Sequence, residues 1–156
     1  MNLIVIGKNK KVHDQEFDFA SRFYASKLMS TRLINRLTVR ILFDNVPKYT
    51  CGLTDPVDSD SSKNPRRFNI YIRKTMSRHN QLSTLAHEFV HVKQYAKGEL
   101  NVFLKGTKLK WQKDWVCTES MNYYEYPWEI EAFGREPGLY RMYAKALEER
   151  NTLIGG

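Results

Sequence analysis

Leu82-Ser83-Thr84-Leu85-Ala86-His87-Glu88-Phe89-Val90-His91-Val92-Lys93-Gln94-Tyr95-Ala96 is the stretch that decides the reading of this chain. Leu82, Leu85, Phe89 and Ala96 recur at helical spacing and form an apolar stripe that gives a helix a core to lie on. A helix advances about 100° per residue, so residues four apart return to nearly the same face. His87 and His91 therefore stand one turn apart, where two imidazoles grip one metal ion. Glu88 projects to the side, placed to hold a water rather than the ion. The chain has four histidines, and two of them fall at this spacing. Ser77 or Asn80 suits the N-cap, and Gly98 is a natural stop just past the end.

Outward from the helix, Phe68-Asn69-Ile70-Tyr71-Ile72-Arg73 alternates and reads as a strand. Leu37, Val39, Ile41 and Phe43 alternate in the same way and share a face. Residues 14 to 31 carry Phe17, Ala20, Phe23, Tyr24 and Leu28 at helical spacing, and Met1–Ile6 reads as a first strand. Residues 44 to 67 read as loop: Asp55-Pro56, Asp58, Ser59, Asp60, Ser61 and Ser62 are turn chemistry, and the aspartate spacing fits no EF-hand. On the far side, residues 102 to 111 suggest a hairpin turning near Gly106. Trp111, Trp115, Tyr123, Tyr124 and Tyr126 make the next stretch aromatic. Interleaved with lysines it suits base stacking, although a packed loop is the commoner use. Pro127 opens a further helix, and Pro137-Gly138 predicts a kink or restart before Tyr140 to Arg150.

The chain is 156 residues long, enough for one domain over 1–156 with its own core, and its 42% hydrophobic content excludes a disordered class. Nothing approaches the ~18–20 apolar residues that cross a bilayer, and the apolar start is too short for a signal peptide. Two cysteines, Cys51 and Cys117, are too few for a secreted disulfide scaffold. The expectation is an intracellular protein with free thiols and no membrane partner. Net charge is +8, with Lys8, Lys10 and Lys11 clustered early and Arg66, Arg67, Arg73, Lys74 and Arg78 before the motif helix. That balance favours acidic partners, nucleic acid among them, although basic residues spread over a solvated surface are commoner.

Catalytic zinc takes three protein ligands and an open water position. No histidine follows His91, so a carboxylate is the natural third ligand. Glu129 and Glu131 both lie on the next helix, two positions and about 200° apart, so only one can face the ion. Arg135, a turn beyond Glu131, is placed to pair with it. Gln94 falls near the histidine stripe and suits either support of the site or the surface.

The strand, the segment Leu85 to Gln94 around His-Glu-x-x-His, and Glu129-Ile130-Glu131-Ala132 together resemble the zincin metallopeptidases of the glutamate-liganded group, the gluzincins. The resemblance covers about residues 68 to 135 and extends to small bacterial and phage-encoded metallopeptidase-like proteins and to ImmA/IrrE-like domains. It implies an α+β fold, with a small mixed or antiparallel sheet packed against the motif helix and a second, ligand-bearing helix. It implies one Zn²⁺ held by His87, His91 and Glu131, since the ligand glutamate of such families precedes a small residue, here Ala132. It also implies hydrolysis of a peptide or protein substrate, with Glu88 as general base and an extended substrate along the edge of Phe68–Arg73. Tyr123, Tyr124, Tyr126, Tyr140 and Arg135 are candidates to stabilise the oxyanion. The stretch between the two helices is longer than in the best-known gluzincins, which leaves substrate recognition open.

Three other readings compete. A DNA-associated protease of the SprT-like kind fits the charge, but that group takes a third histidine downstream. A deformylase-like site would recruit Cys51, in Cys51-Gly52-Leu53, although the local order differs and Val90 stands where an acid is expected. A basic zincin-fold binding module without catalysis would keep the motif but lack a usable cleft.

Overall fold

A computed structural model of the chain describes residues 1–7, 11–58, 64–103, 106 and 108–155. Lys8, Lys10, Ser59, Asp60, Ser61 and Ser62, singled out above, lie outside the described residues, as does part of the hairpin tip.

Four strands form the main sheet: β1 (Asn2–Ile6), β2 (Thr38–Asp44), β3 (Gly52–Pro56) and β4 (Arg67–Arg73), in the order β1-β2-β4-β3. β1, β2 and β4 are parallel, and β3 runs antiparallel to β4 at the edge. The sheet is therefore mixed, and with its helices the molecule is α+β. Alternation sets the buried face: Val39 and Ile41 from β2, and Phe68, Ile70 and Ile72 from β4, are all fully buried or nearly so. Helix α1 (Lys11–Leu28) connects β1 to β2 and contributes Phe17, Ala20 and Tyr24 to the same core. A single helical turn, α2 (Thr31–Ile34), is capped by Ser30.

Two readings of the middle of the chain are corrected. Residues 52–56 form strand β3 rather than loop, because pairing with β4 supplies the main-chain partners their composition does not advertise. The segment Phe68–Arg73 has no free edge, because β2 and β3 flank it on both sides. The edges of the sheet are β1 and β3, and β3 is the one that lies against the motif helix.

The motif helix is α3 (Arg78–Ala96). Ser77 is its N-cap, with its hydroxyl accepting from the Asn80 N–H, and Gly98 follows its end at φ +72°. It packs against α1, β3, β4 and a last helix, α4 (Pro127–Gly155). Consequently it is buried on nearly every side, from Gln81 through Gln94, and not along one stripe alone. Between α3 and α4 lies an antiparallel meander, β5 (Leu100–Phe103), β6 (Lys108–Trp111) and β7 (Asp114–Val116). A 3₁₀ turn over Tyr123–Glu125 then leads into α4.

α4 runs through Pro137 as one helix, without the restart expected there. Proline costs the helix one hydrogen bond; Leu139 and Tyr143, buried just beyond it, continue the stripe that docks α4 on the core. No helix among the described residues is long and apolar enough to cross a membrane.

Candidate metal centre

α3 and α4 lie side by side, and their facing stripes carry the site. On α4 the core-facing residues are Trp128, Glu129, Ala132, Leu139 and Tyr143. Glu136 falls on the same stripe, two turns after Glu129. Trp128, Ala132, Leu139 and Tyr143 anchor the helix through apolar burial, and this fixes its rotation so that Glu129 points at the two histidines.

The three groups meet closely. His87 Nε2 lies 3.1 Å from His91 Nε2 and 3.1 Å from Glu129 Oε2. His91 Nε2 lies 3.3 Å from Glu129 Oε1. All three residues are buried. A tetrahedral zinc ion with bonds of about 2.0–2.1 Å holds its ligands about 3.3–3.4 Å apart, so the separations observed suit such an ion.

The outward nitrogens decide the protonation of the rings. His87 Nδ1 is 3.1 Å from Glu136 Oε2, and Ser83 donates to the other oxygen of that carboxylate at 2.7 Å. His91 Nδ1 is 2.8 Å from Gln94 Oε1. The Gln94 amide cannot be turned over, because its nitrogen already donates to Trp128 O and to Glu131 Oε1, each at 2.9 Å. Both rings thus meet acceptors at Nδ1 and carry their protons there. Their Nε2 lone pairs then face each other and a carboxylate across about 3 Å, an arrangement that repels unless a cation sits among them.

Electrostatics carry the same demand. Burial alone would lower the His87 imidazolium, but the carboxylates of Glu129 and Glu136 more than reverse this and raise it to about 9. Burial would raise Glu129, yet the two histidines hold it down to about 2. His91 is likewise raised, its burial outweighed by Glu129 and Glu88. The cluster holds positive charge tightly.

Glu88 stands beside this group rather than in it. Its Oε2 lies 2.7 Å from the Thr54 hydroxyl of β3. Burial pushes its carboxyl up, and His91, His87 and Thr54 pull it back only in part. β3 approaches this closely because position 52 is glycine: a Cβ there would meet Thr84 Cγ2 at 2.7 Å and Glu88 Oε1 at 2.8 Å. A cleft of about 170 Å³ opens here, lined by Gly52, Leu53, Thr54, Glu88, His91, Tyr95, Tyr123, Trp128 and Glu129 among others.

The expected third ligand, Glu131, is not at the site. It faces the flank of α4, where its carboxylate accepts from Lys93 Nζ at 2.7 and 2.8 Å, from Gln94 and from Arg135. The structure brings Glu129 to the histidines instead. Glu131 acts one residue removed, holding the Gln94 amide that orients His91. Of the aromatic candidates only Tyr123 lines the cleft; its hydroxyl bonds to Glu129, and burial raises its pKa. Tyr140 packs on His79 and Tyr143, Tyr124 is mostly exposed, and Arg135 is committed to Glu131. Cys51 and Cys117 are both exposed and free, and neither joins the cluster.

Sequence reasoning passed over Glu136, Ser83 and Thr54. Glu136 carried a signal, since positions 129, 132 and 136 share one helical stripe. Thr54 carried none, because β3 itself was not legible. No protein-family model, curated protein or solved structure matches this chain.

Proposed function

We propose that this chain is a zinc-dependent metallopeptidase of the gluzincin type, with a zincin-like fold, in which His87, His91 and Glu129 hold the ion. The observation that carries the reading is the convergence of two Nε2 lone pairs and one carboxylate, with both Nδ1 protons committed elsewhere. Zinc held by such a set supplies a Lewis acid and lowers the pKa of water toward neutrality.

The chain's own groups do the rest. Glu88 accepts the proton of the attacking water and passes it to the leaving amine. Thr54 keeps the Glu88 carboxylate aimed into the cleft. Tyr123, with its hydroxyl at the cleft wall, is the side chain best placed to donate to the developing oxyanion.

β3 offers the substrate an edge. Cys51 accepts from Arg73 N–H and Val57 donates to Arg67 O, so alternate residues 51, 53, 55 and 57 face β4. The main-chain groups of Gly52 and Thr54 therefore turn outward, beside Glu88. An extended peptide pairs with them, and Pro56, which has no N–H, ends the pairing.

The test combines metal analysis of the purified protein with a peptide-cleavage assay. Glu88→Gln is expected to keep about one zinc per chain and lose turnover, and His87→Ala to lose both. Cleavage by Glu88→Gln at the wild-type rate removes the mechanism.

A further inference from the structure

The meander presents two unlike faces. Leu100, Val102, Leu109, Trp111 and Val116 turn inward, half-buried or buried. The register sets Phe103 opposite Lys108 and Lys110 opposite Trp115, so these four share the outer face. Trp115 is 61% exposed and Phe103 38%, and their ring centroids are 5.6 Å apart. Lys110 Nζ lies 4.4 Å from the Trp115 centroid and 5.9 Å from that of Phe103, and Lys108 Nζ lies 6.0 Å from Trp115. Among the described strand residues of this outer face, none is acidic.

We infer that this face binds single-stranded nucleic acid. Two solvent-facing rings offer stacking to bases, which every base accepts, and the lysines lying over them offer charge to the phosphates. A surface cation–π contact is weaker than a stacked base. The lysines therefore yield the rings to bases and move to the phosphates beside them. Strands spaced about 4.8 Å apart make a platform about 10 Å wide, room for two or three nucleotides. A duplex keeps its bases stacked inside and cannot use the rings, and an acidic peptide would use only the lysines. The chain's net charge of +8 favours a polyanionic partner generally. The inference does not depend on the metal site.

The experiment is fluorescence anisotropy of a labelled oligothymidylate titrated with the full chain at several salt concentrations, with and without a chelator. Expected are saturable binding that weakens with salt, indifference to the chelator, and preference over a duplex of equal charge. Trp115→Ala weakens binding at least fivefold while Trp115→Phe, which keeps a ring, does not. Lys110→Ala lowers the log–log salt slope by about 0.7, one phosphate contact. Glu88→Gln binds like wild type, and all three substitutions on the meander leave peptide cleavage unchanged. Thermal melts of each variant separate lost binding from lost folding. The inference is overturned by no binding, by duplex binding as tight as single strand, by equal displacement with polyglutamate, or by folded Trp115→Ala with wild-type affinity.

Discussion

At the scale of single residues, the site is decided by which atom each side chain turns inward. His87 and His91 are supported from outside by Glu136 and Gln94, and Gln94 in turn by Glu131. This ranks the two acids of α4. Glu129→Ala is expected to abolish stoichiometric zinc binding. Glu131→Ala keeps zinc but weakens it, within the ~10–100-fold that loss of a supporting partner costs. Zinc competition titrations measure both, and the reverse ranking would return Glu131 to the ion. Gln94→Leu, which fills similar volume without an acceptor, is expected to weaken zinc over the same range while Gln94→Glu, retaining an oxygen toward His91, recovers part of it. The two histidines and Glu88 were readable because they sit on one helical turn, where spacing alone sets their relation. Glu129 was not separable from Glu131 by spacing, because the choice lies in a helix's rotation about its own axis.

At the scale of elements, the contact of β3 with α3 matters most. Glycine at 52 lets the edge strand lie against the Glu88 side chain. Gly52→Val is expected to displace β3 or the Glu88 carboxylate, cutting kcat at least tenfold with zinc content unchanged, as read by steady-state kinetics beside metal analysis. Thr54→Val, nearly isosteric, removes only the hydroxyl and gives a smaller loss of the same kind. At the other end of α3, Gly98 holds φ +72°, and a Cβ there would meet Asn64 Oδ1 at 2.7 Å. Gly98→Ala is expected to lower stability by about 1 kcal/mol or more in denaturant unfolding, without touching zinc affinity. The strands β2 and β4 were legible from alternation of apolar with polar residues, and β1 from its short apolar run. β3 was not, since Gly-Leu-Thr-Asp-Pro has weak strand propensity and is held by its partner. The meander's second turn, Gln112-Lys113, adopts φ of 47° and 77°, a conformation that favours Asn or Gly and so left no sequence signal.

At the scale of the whole molecule, much of the basic charge is spent within the fold. Three of the basic residues leading into α3 are committed to separate contacts within it. Arg66 donates to Ala96 O near the end of α3, Arg73 ties down Pro47 and Thr50, and Arg78 pairs with Glu16 of α1. Much of the positive charge in that segment therefore braces the fold. On the function proposed above, three buried ligands contributed by two helices would also couple zinc binding to folding. Zinc at a hundred times its Kd is expected to add about 2.7 kcal/mol, or about 5–10 °C in melting temperature for a chain of this size. Calorimetry with and without chelator reads this, and in His87→Ala the shift disappears. The sequence by itself determined the α3 helix, its stop at Gly98, the pairing of His87 with His91 and the position of Glu88 beside them, and it left Ser77 and Asn80 both open as the N-cap. What it determined follows from local geometry, where 3.6 residues per turn and a terminal glycine suffice. Only the tertiary structure decided that Glu129 is the carboxylate lying against the two histidines, that Glu131 stands behind Gln94, and that β3 rather than β4 is the edge beside Glu88. Those outcomes depend on how α4 rotates as Trp128, Ala132, Leu139 and Tyr143 sink into the core, and on which strand finds β4's second side, relations between distant segments that no local pattern encodes.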